Sequence, residues 1–349
     1  MNEGKLIIGM PAGSLADPNR GGNLVTLLKM AGFPTKGYDQ GGPTIFPLHT
    51  FLVGWDGRPQ EFGTQLDLGE IDLAIGGDDW ILERTIELKL EYKKECSFKR
   101  VLPLNRGAVR LVIIYNPEKT EVQFNEWLLA LLKSKSIITM VAELPYLALN
   151  WFQKKCKEFG LEEKFSKYSI QKFKTPPKID SGIVIYETWG KTEAKVYQRS
   201  VDLGLEITQS GSAIRNYGLQ IGEEVMKSES AIYVRSDIKN YPDKYEIARM
   251  FLINLYGAMH AERRVLLFFN APLNMVEKIT DYLKENHLFA DEPTINRGTN
   301  FAEFSVQLCV DDVKLPLSKV RYDLILLGAR SLETVPLESS IPGLEVVDL

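Results

Sequence analysis

Leu205-Glu-Ile-Thr-Gln-Ser-Gly-Ser-Ala-Ile-Arg-Asn-Tyr-Gly-Leu219 reads as the end of a strand, a loop of small residues and the first turn of a helix. In Ser210-Gly211-Ser212 the glycine lets the backbone turn closely around a ligand. The loop amides and the following helix start aim donors at an anion, and the serine hydroxyls add more. Glu206, four residues before Ser210, suits ribose hydroxyls. A phosphate and a ribose diol held by one short segment describe a 5-phosphoribosyl group better than a triphosphate, whose usual loop carries a lysine that this one lacks. The same letters also spell an ordinary capped turn.

Working outward, the order of elements is strand then helix through the first two thirds of the chain. Lys5 to Met10 reads as a short strand, Asn23 to Met30 as a helix with Leu24, Leu27 and Leu28 on one face, and Ile71 to Ile75 as a buried strand. A second set begins near Arg110: strand Leu111 to Tyr115, helix Phe124 to Lys133, strand Ile137 to Val141, and a helix from Pro145 to Phe159. Parallel sheets in two successive lobes are the expectation. The chain breaks near Asn240-Tyr-Pro-Asp243, and a helical face over Tyr245 to His260 leads to the strand Val265 to Phe269. A helix from Leu273 to Asn286, strands around Glu303 to Leu308 and Thr334 to Leu337, and a helix from Leu317 to Leu327 then complete a βαββαβ order. That order fits a small ferredoxin-like unit whose strand edges could pair between subunits.

Composition permits this reading without pointing to it. With 349 residues, 44% of them hydrophobic and 25% charged, the chain is long enough for two or three domains. A net charge of −4 and the lack of a dense Lys/Arg run argue against nucleic acid or an anionic membrane as partner. No apolar run approaches the roughly twenty residues a membrane helix needs, so a cytoplasmic protein is expected. Cys96, Cys156 and Cys309 are odd in number and far apart, which signals neither a disulfide framework nor a metal site. His49, His260 and His287 show no ligand spacing and read as structural.

Several segments fall in the order found in the long form of ATP phosphoribosyltransferase, and the chain resembles that family over nearly its whole length. Leu6-Ile-Ile-Gly-Met-Pro-Ala-Gly-Ser-Leu15 is similar to its first strand and turn, and Gly69-Glu-Ile-Asp-Leu-Ala-Ile-Gly-Gly-Asp-Asp79 to its Gly-x-x-Asp-Leu-Gly-Ile-x-Gly-x-Asp. Arg58 stands where the family has an arginine. Val141-Ala-Glu-Leu-Pro-Tyr-Leu147, Gly190-Lys-Thr-Glu193 and Ser210-Gly211 resemble further blocks, the last in the family's phosphoribosyl pyrophosphate loop. Leu255-Tyr-Gly-Ala-Met259, Phe269-Asn-Ala-Pro272, Asp291-Glu-Pro-Thr294 and Leu327-Gly-Ala-Arg330 resemble its regulatory domain.

The resemblance implies an α/β catalytic region with two lobes like a type II periplasmic binding protein, plus a C-terminal ferredoxin-like (ACT-like) α+β domain. Residues 1–105 with 222–238 would form the first lobe, 106–221 the second, and 239–349 the regulatory and oligomerisation domain; Glu224 to Val234 resembles the strand returning to the first lobe. The implied reaction is transfer of the 5-phosphoribosyl group of phosphoribosyl pyrophosphate to N1 of ATP, with magnesium held by substrate oxygens and water. Histidine is the implied inhibitor and a homo-hexamer the implied assembly.

By the same resemblance Glu206, Lys191 and Glu193 form the catalytic group. Asp202, Glu206, Thr208, Ser210, Gly211, Ser212, Ala213, Ile214 and Arg215 would bind phosphoribosyl pyrophosphate, while Pro11, Gly13, Ser14, Arg58 and Asp79, with Arg20 added on charge and position alone, would bind ATP. Plainer readings stand beside these. Asp202 and Glu206 also suit a solvated strand edge, Lys191 with Glu193 an exposed ion pair, Arg58 a turn after Asp56-Gly57, and Asp78-Asp79 a helix N-cap. Departures from the family pattern fall inside the proposed site: Ala12 replaces a lysine, Ala213 a threonine, Glu206 a frequent aspartate and Tyr217 an asparagine. An insertion over Ala16 to Gly22 carries Arg20, whose charge could replace the missing lysine. A different purine acceptor, or a noncatalytic ligand sensor, are the alternatives these departures leave open.

Overall fold

Apolar runs too short for helices and free of polar alternation form strands covered on both faces in the computed structural model, which describes residues 4–12, 23–117, 122–288, 293–310 and 315–349. Two compact units result: Met1–Leu24, Lys36–Tyr245 and Leu349 in one, Val25–Thr35 and Glu246–Asp348 in the other. The chain passes from the first unit to the second after Tyr245, and the short helix α1 (Leu24–Met30) belongs almost wholly to the second unit.

The first unit holds two sheets. β1 (Leu6–Pro11), β2 (Leu52–Gly57), β3 (Leu73–Gly77), β4 (Phe98–Pro103) and β11 (Ser230–Arg235) form one, in the order β2-β1-β3-β11-β4. β5 (Val109–Tyr115), β6 (Ile137–Ala142), β7 (Tyr168–Lys172), β8 (Gly182–Glu187), β9 (Leu203–Thr208) and β10 (Gln220–Ser228) form the other, in the order β10-β5-β9-β6-β8-β7. The sheets are mixed. β1 is parallel to β2 and β3, and β6, β7, β8 and β9 run parallel, but β11 is antiparallel to both neighbours and β5 is antiparallel to β9 and β10. The antiparallel strands are those that carry the chain between sheets.

The return crossing differs from expectation. Instead of one strand over Glu224 to Val234, β10 stays on the edge of the second sheet and β11 enters the first at Ser230, so 222–229 belong with the second lobe. Polarity explains the split: Glu223, Glu224 and Lys227 suit an edge strand with a solvated side, whereas Ser230-Ala-Ile-Tyr-Val234 is buried throughout. The two crossings are tied together, because Leu104 N–H donates to Ser230 O (2.9 Å) and Ser230 N–H and Oγ to Arg106 O (3.0 and 2.7 Å).

Helices fill both sides. α2 (Pro59–Leu68) starts with proline and stops at Gly69 in the left-handed conformation, and with α3 (Asp78–Tyr92) it packs Phe62, Leu66 and Ile81 against β3 and β11. On the second sheet α4 (Phe124–Ser134) and α5 (Pro145–Glu158) cover Leu111, Ile113, Met140 and Ile185. Val196 of α6 (Thr192–Tyr197) and Ile214 of α7 (Ser212–Asn216) pack against Val112, Ile114 and Val184 on the other face.

The second unit contains the C-terminal part of α8 (Pro242–Ala261), then β12 (Arg264–Pro272), α9 (Val276–Glu285), β13 (Thr294–Arg297), β14 (Phe301–Cys309), α10 (Leu317–Leu326) and β15 (Arg330–Pro336). Its all-antiparallel order β13-β14-β12-β15 is that of a ferredoxin-like unit. Alternation along β12 and β14 turns Leu267, Phe269, Phe304 and Val306 toward Ile279, Leu283, Val320 and Leu324. Phe269 and Phe304, paired in register, stack at 4.8 Å.

Candidate functional site

The carboxyl ends of β1 and β3 in one sheet and of β6, β8 and β9 in the other open onto a common cleft, the position where α/β sheets expose loop amides and side chains free of strand pairing. One cavity there, about 320 Å3, is bounded by Ala12, Gly77 and Asp79 from the first lobe, by Glu143 and Ile207 from the second, and by Ser228 and Ser230 at the crossing. It shares Gln60, Trp80 and Glu143 with a second cavity of about 370 Å3, walled by Arg58, Glu83 and Arg84 on one side and Tyr146, Glu187 and Trp189 on the other.

β9 delivers the Ser210 loop to this end of the sheet. Gly211 has φ 71°, a left-handed turn that strains any residue with a Cβ. Its N–H donates to Thr208 Oγ1 (2.8 Å) and that of Ser212 to Ser210 Oγ (3.3 Å), while the two serine hydroxyls lie 2.8 Å apart. Arg215 folds back, donating from Nη1 to Ser210 O (2.9 Å) and from Nη2 to Ser212 Oγ (3.3 Å). Ile214 is buried and anchors the turn; Ala213 is exposed. Thus Thr208, Ser210, Gly211, Ser212 and Arg215 are brought together, with a guanidinium and two hydroxyls at the tip.

Behind the loop lies a group of carboxylates. Burial, then Glu193 and Glu143, push Glu206 up to about 7 against a hydrogen bond from Thr192 and the charge of Lys195. Burial also raises Asp79 and Glu143, in the latter case helped by Asp79. Glu193 Oε2 is buried with no hydrogen-bond partner among the described residues. Lys195, in α6, turns back on the preceding loop, donating to Gly190 O (2.9 Å) and Lys191 O (3.2 Å), and burial lowers its pKa. Lys191 is exposed, with its backbone left-handed at φ 59° immediately before α6. Glu206 and Glu193 therefore interact, and Lys195, which has no family motif to mark it, is the cation nearest them in electrostatic effect.

Other expected residues sit differently. Asp202 is at the opposite end of β9, about 13 Å along the strand from Glu206. There it accepts from Thr139 N–H (3.0 Å) and Oγ1 (2.9 Å) and pairs with Lys135, tying β9 to β6. It is a structural residue and not part of the loop site. Asp79 is not the N-cap of α3; Gly77 is, and the buried Asp79 carboxylate accepts the Trp80 N–H (2.8 Å) while facing the cavity. Asp78 instead pairs with Arg100 (2.9 Å). Arg58 is the exposed N-cap of α2 on the cavity wall, and Pro11 is buried with its carbonyl accepting from Tyr38 OH (2.7 Å). Gly13, Ser14 and Arg20 lie outside the described residues.

Three cleft residues carry no motif assignment, Glu83, Trp80 and Trp189, and a fourth, Glu143, lies in the Val141–Leu147 block without a site role read from it. Glu83 falls four residues after Asp79 and so on the same helix face, the one signal available. Among the described residues no three His, Cys, Asp or Glu side chains converge to hold a metal ion, and no helix is long and apolar enough to cross a membrane.

A family model described as HisG, ATP phosphoribosyltransferase, matches residues 58–254. The chain is 26% identical over 349 residues to an ATP phosphoribosyltransferase of Geotalea uraniireducens (strain Rf4), covering 96% of this chain and 99% of that protein. It is 26% identical over 350 residues to one of Trichlorobacter lovleyi (strain ATCC BAA-1151 / DSM 17278 / SZ), with the same coverage. Among solved structures, the ATP phosphoribosyl transferase (HisG:HisZ) complex from Thermotoga maritima aligns over 72% of this chain and 96% of that one, with 17% identity and a TM-score of 0.49.

Proposed function

The chain belongs to the ATP phosphoribosyltransferase family, and we propose that its two-lobed cleft transfers the 5-phosphoribosyl group of phosphoribosyl pyrophosphate to N1 of ATP, the first step of histidine biosynthesis. The observation that carries this is the joining, at one strand end, of the Ser210–Arg215 turn to the Glu206 carboxyl, next to a cavity that Ile207 and Gln209 share with Asp79 of the other lobe. The turn takes the 5-phosphate: Arg215, Ser210 and Ser212 exchange their contacts within the loop for phosphate oxygens. Ionised Glu206 accepts from the ribose hydroxyls.

In the reaction the bond from N1 of adenine to the anomeric carbon forms as the bond to pyrophosphate breaks, and the electron pair leaves with pyrophosphate. Charge builds on the leaving oxygens and positive charge spreads over ribose and adenine. The chain's part is to align the reactants and to neutralise these charges with groups already in place. Lys191, at the start of α6, and Lys195, within it, stand nearest the pyrophosphate, and the carboxylates Glu193, Glu206 and Glu143 oppose the cationic ribose. Magnesium, when bound, would offset pyrophosphate charge, with substrate oxygens and water as its ligands in this reading. Arg58 and Asp79 belong to the ATP side, with Pro11 and Ala12 at its floor.

The ferredoxin-like unit offers exposed edge strands, β13 and β15, for pairing between copies and for regulation by histidine, with a hexamer as the assembly and the cytoplasm as the location. The deciding experiment is formation of phosphoribosyl-ATP from ATP and phosphoribosyl pyrophosphate, followed by absorbance with pyrophosphatase present, with and without magnesium and histidine. Turnover that histidine suppresses supports the whole reading; turnover indifferent to histidine removes the regulatory part; no turnover removes the catalytic part.

A further inference from the structure

The cavity between Arg58 and Trp189 has a feature that the phosphoribosyl loop does not explain. Trp80, in the first turn of α3, and Trp189, in the turn after β8, come from opposite lobes and present near-parallel rings, 16° apart with centroids at 6.4 Å. Offset-stacked rings prefer centroids about 4.5–7 Å apart, so the two indoles meet at the wide end of that range, and a flat ring enters between them once the lobes part by about one further contact distance. Trp189 is 61% exposed, so Trp80 does not cover it. An indole left this open on a cleft wall, opposite another, is the arrangement that serves ligand binding better than core packing.

The walls select what enters. Among the described residues Glu61, Glu143 and Glu187 line this cavity beside Arg58, while Glu83 is held by two amides of α5 and Glu87 is paired with Arg84 (2.5 Å). A triphosphate is repelled there, whereas a flat base with amino donors is attracted. Building on the proposed reaction, we infer that Trp80 and Trp189 clamp the adenine ring of the acceptor between the lobes, with Glu143 and Glu187 beside its amino edge and the triphosphate directed away from them. Attack through N1 leaves positive charge on the adenine ring, and two indole faces stabilise a cation as well as a neutral base. Because one indole belongs to each lobe, the clamp would also make acceptor binding favour lobe closure. A purine with a carbonyl in place of the 6-amino group meets acceptor against acceptor and binds less well.

The test is equilibrium titration of the full-length protein with ATP and, separately, with ITP and phosphoribosyl pyrophosphate, read by calorimetry and by quenching of tryptophan fluorescence. Trp189→Ala and Trp189→Phe are compared with the parent; at an exposed position neither disturbs the core. The expected result is ATP affinity weakened about ten-fold or more by Trp189→Ala and largely kept by Trp189→Phe, phosphoribosyl pyrophosphate affinity unchanged, and ITP weaker than ATP in the parent. Parent-like ATP affinity in Trp189→Ala, with the parent active in forming phosphoribosyl-ATP, overturns the clamp and leaves the proposed function standing. A parent that neither binds nor turns over ATP overturns both.

Discussion

Glu83, on a helix of the first lobe, accepts the backbone N–H of Leu147 at 2.7 Å in the first turn of α5 in the second lobe, and its other oxygen takes the N–H of Tyr146 at 2.9 Å. One carboxylate thus satisfies two otherwise orphaned donors of a helix that has no side-chain cap of its own. It holds the lobes together beside the cavity in which Trp80 and Trp189 face each other.

Glu83→Ala should therefore leave two buried N–H groups unpaired and cost about 1–3 kcal/mol, read as a lower urea midpoint, with Glu83→Gln intermediate. The pH dependence has a definite sign. Burial lifts Glu83 from the ordinary carboxylate range to about 8, outweighing its two N–H bonds and Arg84. Stability from a raised acid is fully present below the unfolded value near 4.5 and is lost as pH climbs through about 8. The parent's advantage over Glu83→Gln should shrink across that window; an advantage that grows would contradict the assignment.

Glu206 titrates where enzymes are assayed. With its carboxyl near 7, the ionised form that accepts ribose hydroxyls should gain population between pH 6 and 8. The KM for phosphoribosyl pyrophosphate is expected to fall over that range, while Glu206→Gln should raise it several-fold and flatten the profile. A parent KM independent of pH would remove Glu206 from ribose binding.

Asp202 offers the contrast. Its partners are Thr139 and Lys135, remote from the loop, so Asp202→Ala should lower stability by about 1–3 kcal/mol without altering the KM for either substrate. A selective rise in the KM for phosphoribosyl pyrophosphate would show that the far end of β9 matters to the site.

At Gly211, a Cβ would meet left-handed strain and lie 3.1 Å from Arg215 Nη1. Gly211→Ala is expected to cost about 1–2 kcal/mol and to displace the guanidinium, raising the KM for phosphoribosyl pyrophosphate more than that for ATP. Equal effects on both would point to a general loss of folding.

Local physics made much of this chain readable before any coordinates. Apolar runs bounded by Gly and Pro set the strands Leu111–Tyr115 and Val265–Phe269. Helical spacing and proline starts set α4, α5 and α8, and the βαββαβ order of the C-terminal third identified its sheet. The Ser210 turn was legible for the same reason, since glycine conformation and hydroxyl donors act within a few residues. What crosses the chain was not. Strand alternation puts Asp202 and Glu206 on one face of β9, but only the tertiary structure decides that Glu206 lies beside the carboxylates Glu193 and Glu143 while Asp202 ties β9 to β6. Glu83 meets α5, and Trp80 meets Trp189, across 64 and 109 positions. Those pairings depend on where β4–β5 and β10–β11 cross between sheets, and a crossing is set by the packing of whole lobes, which no local pattern encodes.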